Sequence, residues 1–535
     1  MNLNTTFSPV IAAIGRSSTM WVTAALLLVA WMLASRSLGD TDQGFVQGLA
    51  WRVWQGEHIY QDFDYVRPPL TPWLHSIWFL FGDCWLLFGR MSMVILLAAS
   101  VRFQLLFFKK TAGLGWPLAA GILCFLVALH TFPAMPWHTV DGLFFASAGF
   151  FLLSKNRRMW RLLGWVCLLG AAMCKQSFFP VPIMGLAWLL LDRGWNKGLA
   201  EGALWLGATV VAGLAWAWQM PGSPDLLWSW VGSSGSSGDL WEVGIKGYLL
   251  PVGPAALILL LRWGQNRIPL LSWAIILLLA GALAFWAAKV WITGASQMPP
   301  FRLGHVLWWV AVVEALRLTF ARKKEGYAWL ALLGLAWCTS ISWGYATPIL
   351  AATPLLWTFF RQEYHAWKNA MIPVLLLPAF ALVVAGWLFP YREINDFSGP
   401  SQELASYYPA LRYVATGPAI KAELLEIAAI RDRYPGAFTI LPNWPLIHAL
   451  LGEQNPAPID WAHNAEMKWE EFPQRYVEPL GHCHIVIVDK DQLSEADDSG
   501  KYGSALLRYV LDHGVLLEET KHFQVFGSIG KTELY

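Results

Sequence analysis

The feature that most constrains this chain is a series of long apolar runs, each close to the length that crosses a lipid bilayer. A spanning helix needs about 20 mostly apolar residues, and about thirteen stretches of the sequence meet or approach that length. They fall at residues 18–38, 86–107, 113–131, 138–154, 160–176, 178–191, 198–219, 246–262, 268–290, 303–320, 327–344, 346–360 and 370–389. The sequence therefore predicts a polytopic α-helical membrane protein.

Composition agrees with this fold class. The chain is 56% hydrophobic and 14% charged, whereas an ordinary soluble domain has about 25% charged residues. Its formal net charge is only +2, and a nucleic-acid partner would require a domain-wide excess of Lys and Arg. We therefore expect membrane lipid as a partner and no nucleic acid.

The positions of the basic residues predict an orientation. Lys and Arg are enriched in the short cytoplasmic loops beside membrane spans. If the N-terminus is cytoplasmic, every second loop is basic, at residues 109–110, 155–161, 193–197, 262–267, 322–324 and 361–368. Leu38-Gly39-Asp40 is a poor cleavage site, so we expect the first apolar run to be retained as a helix. The loop at 39–85, called the first loop below, is then outside the cytoplasm.

The composition changes after Tyr391, where the apolar runs end and most of the carboxylates lie. Alternating helix-like and strand-like patterns predict a small α/β domain at residues 391–535, following a transmembrane domain at residues 1–390. The strands are expected at 437–441 and 484–488 and in a hairpin at 515–519 and 523–527, and the helices at 419–434 and 502–512. The parity of the loops makes this domain extracytoplasmic. It has no nucleotide-binding signature.

The first loop carries carboxylates in a chain that is poor in charge. Asp40 and Asp42 follow directly on the first apolar run. A carboxylate at the membrane surface can act as a general base for an acceptor hydroxyl. It can equally cap the amphipathic helix predicted for residues 43–54.

Arg67 stands before Pro68-Pro69, which favours an extended backbone at the arginine. A guanidinium held in this way can bind a phosphate through two hydrogen bonds. The alternative is an ion pair with Asp62 or Asp64. After these prolines, residues 70–81 are apolar and are expected to lie along the membrane interface.

Several polar residues lie at the predicted outer ends of helices. Lys175 and Gln176 follow one apolar run, and an ionisable residue at membrane depth is functional by default, although Lys175 could instead extend to the lipid headgroups. Asp141 lies just inside another helix, one turn after His138, where it could line a cavity or cap the helix. Arg90 could face the same cavity or extend to the lipid headgroups.

Several short motifs of the N-terminal part resemble those of the GT-C glycosyltransferases. They are Gly56, Tyr60, Asp62-Phe63, Arg67-Pro68-Pro69-Leu70, Phe81-Gly82, Arg90 and Asp141, with the acidic residue that precedes the first-loop helix. The resemblance is to the protein O-mannosyltransferase and aminoarabinose transferase group, glycosyltransferase family 39-like, and its motifs lie within residues 1–190. Gln43 departs from the Asp-Glu of many relatives. Arg67 replaces the Lys of aminoarabinose-type enzymes and keeps the positive charge.

The resemblance implies an inverting transferase at a bacterial inner membrane that acts on a cell-envelope glycan. Its donor would be a polyprenyl-phosphate sugar, and its acceptor a glycan, a lipid or a protein. No cofactor and no divalent metal are expected. The implied roles are Asp42 as base with Asp40 and Asp141 beside it, Arg67, Lys175 and Arg90 at the donor phosphate, and Asp62, Asp64, His138 and Gln176 in support.

Two other classes of protein fit a polytopic chain. One is a transporter or flippase of a lipid-linked glycan, and the other is a non-catalytic scaffold that displays the C-terminal domain. Transporters favour internal repeats and charged groups near the bilayer midplane. In this sequence we find no repeat, and the charges cluster at predicted helix ends, which favours the transferase.

Overall fold

A computed structural model gives the structure of most of the chain. The described residues are 8–38, 42–113, 118–129, 134–219, 240–265, 269–293, 303–341, 347–360, 365–389, 399–463, 467, 474–493 and 504–527. Asp40 lies outside them. Asp42 is the first residue of a described helix.

Helices dominate the described chain before residue 390. They are α1 (Ser8–Ala34), α2 (Asp42–Trp54), α3 (Leu70–Ser76), α4 (Trp85–Ala112), α5 (Leu118–Leu129), α6 (His138–Leu153), α7 (Arg158–Cys174), α8 (Pro180–Arg193), α9 (Trp195–Gln219), α10 (Val252–Gln265), α11 (Pro269–Thr293), α12 (Leu303–Phe320), α13 (Lys324–Ser340), α14 (Ala352–Phe360) and α15 (His365–Leu388). Short 3-10 segments follow α3 at Ile77–Cys84 and precede α8 and α14 at Gln176–Phe178 and Pro348–Ala351. Each apolar run of the sequence overlaps one of these helices.

Length and composition allow some of these helices to cross a membrane. Within the described residues, three helical stretches are long and apolar enough, namely Leu70–Ala112, Leu240–Leu260 and Leu303–Phe320. Shorter apolar helices lie at Trp21–Ala34, Leu118–Leu129, His138–Leu153, Leu277–Thr293, Pro348–Trp357 and Ile372–Leu388. The helical fold class is thus confirmed, while the number of spans stays a prediction.

Contacts between helix termini define two ends of the bundle. At one end, the Lys324 ammonium at the start of α13 lies 3.0 Å from the Asp192 carboxylate at the end of α8. At the other end, Arg90 near the start of α4 donates to the carbonyl oxygens of Arg36, just after α1, and Ala134, just before α6. Helix α8 therefore ends where α13 begins, and α4 and α6 begin together at the other end. We call the end with Arg90 the loop end, because the first loop lies there.

Close backbone approach holds α6 against α7. A Cβ atom on Gly149 would lie 2.4 Å from a methyl carbon of Leu168, and one on Gly164 would lie 2.8 Å from the amide nitrogen of Leu153. Membrane helices have no hydrophobic driving force between them, so they associate through van der Waals contact, and small residues at the crossing allow the close approach. The start of α6 and the end of α7 are thereby brought together at the loop end.

The described C-terminal part contains a four-stranded sheet. Its elements are α16 (Gln402–Tyr407), α17 (Pro418–Arg433), β1 (Phe438–Leu441), α18 (Ile447–Leu451), α19 (Gln474–Leu480), β2 (Ile485–Asp489), α20 (Ser504–His513), β3 (Leu516–Glu519) and β4 (Phe523–Gly527). The strand order is β1-β2-β4-β3, with β1 parallel to β2 and the other pairs antiparallel. The predicted strands, closing hairpin and helices of this domain are confirmed to within a few residues.

The C-terminal domain packs directly on the first loop. Helix α2 carries Gly44 and Gly48 on the face towards α18, and a Cβ on Gly48 would lie only 2.0 Å from the carbonyl oxygen of Pro445. Beside the end of α1, the Ser37 amide donates to the Ala415 carbonyl oxygen, and the Ala415 amide donates to the Ser35 carbonyl oxygen. The loop is therefore enclosed between the helix bundle and the domain.

Candidate functional site

The first loop begins with the amphipathic helix α2. Phe45, Val46 and Leu49 are buried on one face of it, and they pack with the aromatic residues Phe63 and Tyr65 from later in the loop. This is the apolar face that the sequence predicts, with Val53 at its edge. Asp42 starts the helix, so its backbone lies at the N-terminal end, where a negative charge is favoured by the helix dipole.

Arg67 is fixed in the loop through both its backbone and its side chain. The Tyr60 hydroxyl donates a hydrogen bond to the Arg67 carbonyl oxygen at 2.6 Å, and the two prolines that follow are buried. The Arg67 guanidinium lies over the Phe45 ring, 5.1 Å from its centroid. An aromatic face of this kind holds a cation by electrostatic attraction.

Asp62 and Asp64 have partners other than Arg67. Asp62 accepts a hydrogen bond from the His58 amide in an exposed turn. Asp64 is buried and binds Arg475 and Tyr476 of the C-terminal domain. Both carboxylates thus make structural contacts. Of the two, Asp64 is the one that joins the loop to the C-terminal domain.

Lys175 lies where the ends of three helices meet. It follows α7, and its ammonium donates to the carbonyl oxygen of Ile341, just after α13, at 2.9 Å. The Thr139 hydroxyl in the first turn of α6 is 3.5 Å away. Gln176 binds the loop itself, since its side-chain amide donates to the Val66 carbonyl oxygen at 2.6 Å. Lys175 is half-buried, and these bonds hold its charge at the loop end.

The first turn of α6 presents two polar side chains to the first loop. The His138 ring nitrogen Nε2 is 2.6 Å from the Tyr65 hydroxyl. The Asp141 carboxylate is 1% exposed, and its oxygens lie 3.1 and 3.3 Å from Nε2 of His75 in α3. The Trp78 indole nitrogen in turn donates to Nδ1 of His75 at 3.1 Å. Asp141 therefore has a buried histidine partner that the sequence did not identify.

Two positive groups lie near His138. The Arg67 guanidinium lies over the Phe45 ring, and the centroid of that ring is 6.1 Å from that of His138. The Lys175 ammonium, at the end of α7, is 3.5 Å from the hydroxyl of Thr139, the residue after His138. The structure thus brings Arg67, Lys175, His138, Gln176 and Asp141 of the predicted residues to the loop end of the bundle.

Arg90 is placed differently from the expectation. Its side chain is 1% exposed, and two of its donors are bound to the Arg36 and Ala134 carbonyl oxygens at 2.6 and 2.8 Å. These bonds tie α1, α4 and the segment before α6 together. These hydrogen bonds give a structural reason for a buried arginine at this position. Donor-phosphate binding by Arg90 stays a prediction.

Sequence reasoning missed His75 and Trp78, the two partners of Asp141. Both lie in the apolar run at residues 70–81. Thr71, Pro72 and His75 of this run are buried, while Trp73, Ile77, Leu80 and Phe81 are 40 to 71% exposed. A single histidine within an otherwise apolar interfacial run is a signal that could have been found, because a polar group at that depth requires a partner.

The described residues contain no group of three or more His, Cys, Asp or Glu side chains that could hold a metal ion. In the His482-Cys483-His484 triplet, the cysteine is buried and both histidines are exposed. The triplet lies in the turn before β2, where the His482 and Cys483 amides donate to the Pro479 and Leu480 carbonyl oxygens, and not in a strand.

The described chain combines a helical bundle, an enclosed first loop and a C-terminal α/β unit. The chain is similar to ArnT from Cupriavidus metallidurans in a crystal structure with bound undecaprenyl phosphate, with a TM-score of 0.51 and 12% sequence identity, over 96% of this chain and 99% of that chain. ArnT in the apo state is similar with the same TM-score and identity, and 98% of that chain is covered. No protein-family model and no curated protein matches the sequence. The likeness shows that the two proteins share a fold.

Proposed function

We propose that this protein is a membrane glycosyltransferase that uses a polyprenyl-phosphate sugar as donor. One set of contacts carries the proposal: the Arg67 guanidinium lies over the Phe45 ring, whose centroid is 6.1 Å from that of His138, and the Lys175 ammonium is 3.5 Å from the hydroxyl of the next residue, Thr139. Guanidinium and ammonium groups are the usual ligands of phosphate. In the ArnT structure of the same fold, the bound molecule is undecaprenyl phosphate. A lipid phosphate is therefore the ligand class that best matches this pair of cations.

The reaction we propose is a single inverting displacement. The hydroxyl oxygen of the acceptor attacks the anomeric carbon from the face opposite the phosphate, and the bond from that carbon to the phosphate oxygen breaks. The hydroxyl proton passes to the Asp42 carboxylate, which acts as general base with Asp40 as its neighbour. The polyprenyl phosphate leaves with an additional negative charge, which Arg67 and Lys175 stabilise electrostatically. The acceptor is a glycan, a lipid or a protein.

We further propose that about thirteen helices cross the bacterial inner membrane, a number set by the apolar runs of spanning length. The N-terminus is cytoplasmic, and the loop end and the C-terminal domain face the periplasm. A reporter enzyme that is active only outside the cytoplasm should be active when fused after Tyr391 and inactive when fused after Lys323. The opposite pattern would show that the orientation is inverted.

The test of the function is transfer by the purified protein in detergent. A synthetic polyprenyl-phosphate sugar is supplied with candidate acceptors, and formation of a glycosylated product is measured together with release of polyprenyl phosphate. We expect both, in equal amounts. If reconstituted vesicles instead translocate the lipid-linked sugar while no acceptor is glycosylated, the protein is a flippase and the proposal is wrong.

A further inference from the structure

We propose that His75 and Asp141 form a positioning pair of the transferase site, in which Trp78 fixes the tautomer of the histidine. The inference rests on the proposed function and deepens it. In this proposal Asp141 holds the first loop against the bundle, and a different carboxylate takes the acceptor proton. Asp141 is then a positioning residue.

The hydrogen-bond donors define the tautomer. A tryptophan indole can only donate, and the indole nitrogen of Trp78 lies 3.1 Å from Nδ1 of His75. Nδ1 must therefore accept, and the ring proton of the neutral histidine is on Nε2. Nε2 is the atom that faces both oxygens of Asp141. The chain of bonds consequently runs in one direction, from Trp78 to His75 to Asp141.

The pair acts on the donor site through the backbone of the loop. His75 lies in α3, which begins directly after Arg67-Pro68-Pro69. Two buried prolines leave little freedom between the arginine and the helix. Any shift of His75 relative to α6 therefore displaces the Arg67 guanidinium relative to Lys175. A misplacement of 1 Å at a catalytic site can cost about 100-fold in rate.

The first experiment compares three variants in the transfer assay. We expect His75→Leu to lower kcat/KM for the donor about 100-fold, through misplacement of Arg67. His75→Gln should recover most of this loss, because the glutamine amide can donate from the position of Nε2. The control is His58→Leu, an exposed histidine of the same loop that also faces a carboxylate, and it should transfer like the wild type. Equal activity of His75→Leu and wild type would overturn the inference.

The second experiment tests the role of Trp78. Trp78→Phe removes the donor to Nδ1, so the ring proton of His75 is no longer held on Nε2 and part of the hydrogen bond to Asp141 is lost. This variant should therefore have a lower kcat/KM for the donor than the wild type. Trp78→Phe combined with His75→Gln should transfer as well as His75→Gln alone, because glutamine has no second tautomer. Equal transfer by Trp78→Phe and the wild type would contradict the assigned tautomer.

Binding of polyprenyl phosphate without a sugar separates this inference from the proposed function. If the wild type binds the lipid phosphate but transfers no sugar, the proposed catalysis fails, and weaker binding by His75→Leu still supports the pair. If the wild type transfers sugar and His75→Leu binds and transfers like His58→Leu, the function stands and the pair does not position the site. If the wild type neither binds nor transfers, the proposal and the inference are both wrong.

Discussion

Asp64 and Arg475, which are 411 residues apart in the chain, form an ion pair with Nε and Oδ1 2.7 Å apart. The Asp64 side chain is fully buried, that of Arg475 is 16% exposed, and the Tyr476 hydroxyl donates to the same carboxylate. Removing one partner of a buried pair leaves the other charge uncompensated. This contact joins the C-terminal domain to the first loop, together with the buried ion pair between Arg52 and Asp460.

Asp64→Ala should therefore lower the free energy of unfolding by about 3 kcal/mol. Asp62→Ala is the matched control, since Asp62 is 39% exposed and contacts a histidine that is 75% exposed. Surface pairs contribute about 0.5 kcal/mol. The measurement is the unfolding of the full-length protein in detergent, followed by Trp fluorescence. Equal destabilisation by the two substitutions would show that the contact between loop and domain is not structural.

Gly48 makes a second contact between the loop and the domain, and it can be tested independently of charge. A methyl group at this position would lie 2.0 Å from the Pro445 carbonyl oxygen, which is backbone and cannot move aside cheaply. We expect Gly48→Ala to weaken the packing of α2 on α18, seen as faster proteolysis of the C-terminal domain. Gly207→Ala in α9 has open space around its added methyl group. It should be neutral or stabilise the helix by up to about 1 kcal/mol.

Local patterns in the sequence are sufficient to predict elements whose residues lie within one short segment. The period of apolar residues predicted α17, β2 and the closing hairpin, because each pattern is repeated within one short segment. The same reasoning found the apolar face of α2. It could not pair Asp64 with Arg475, since nothing local connects residues so far apart. It also did not pair Asp141 with His75, because the histidine lies in an apolar run, and a catalytic role of Asp141 stays a prediction.

A buried histidine should make the C-terminal domain sensitive to acid. Burial, with Arg52 and Arg431 nearby, lowers the pKa of His448 from 6.5 to about 3, so the folded state holds this side chain neutral. Above pH 6.5 the group has no effect on stability. As the pH falls from 6.5 towards 3, the unfolded chain takes up a proton that the folded chain does not, and about 1.4 kcal/mol of stability is lost per pH unit.

His448→Met should remove this part of the pH dependence. The measurement is the free energy of unfolding of the full-length protein between pH 7 and 4, compared for the wild type, His448→Met and His482→Gln. His482 is exposed, so its replacement should leave the slope unchanged. A slope in His448→Met as steep as that of the wild type would mean that other groups cause the acid sensitivity.

Arg67 should act on the donor more than on the acceptor. A charge-assisted bond to a phosphate contributes about 1.5–3 kcal/mol, so Arg67→Gln should raise KM for the polyprenyl-phosphate sugar by about 10-fold or more. KM for the acceptor should stay near that of the wild type. Arg412→Gln removes an exposed arginine of the C-terminal domain that pairs with Asp83, and it should change neither constant. A similar rise in both Michaelis constants for Arg67→Gln would contradict a phosphate-binding role.

The central claim is that the first loop supplies the base for sugar transfer from a polyprenyl phosphate, and its most direct test is the transfer rate of Asp42→Asn. Asparagine keeps the size of the side chain but cannot take up the acceptor proton. Loss of a general base lowers a rate by about 100-fold to 10,000-fold, so we expect the turnover of Asp42→Asn to fall by at least 100-fold. Asp62→Asn in the same loop should retain wild-type turnover. Undiminished transfer by Asp42→Asn would contradict the account.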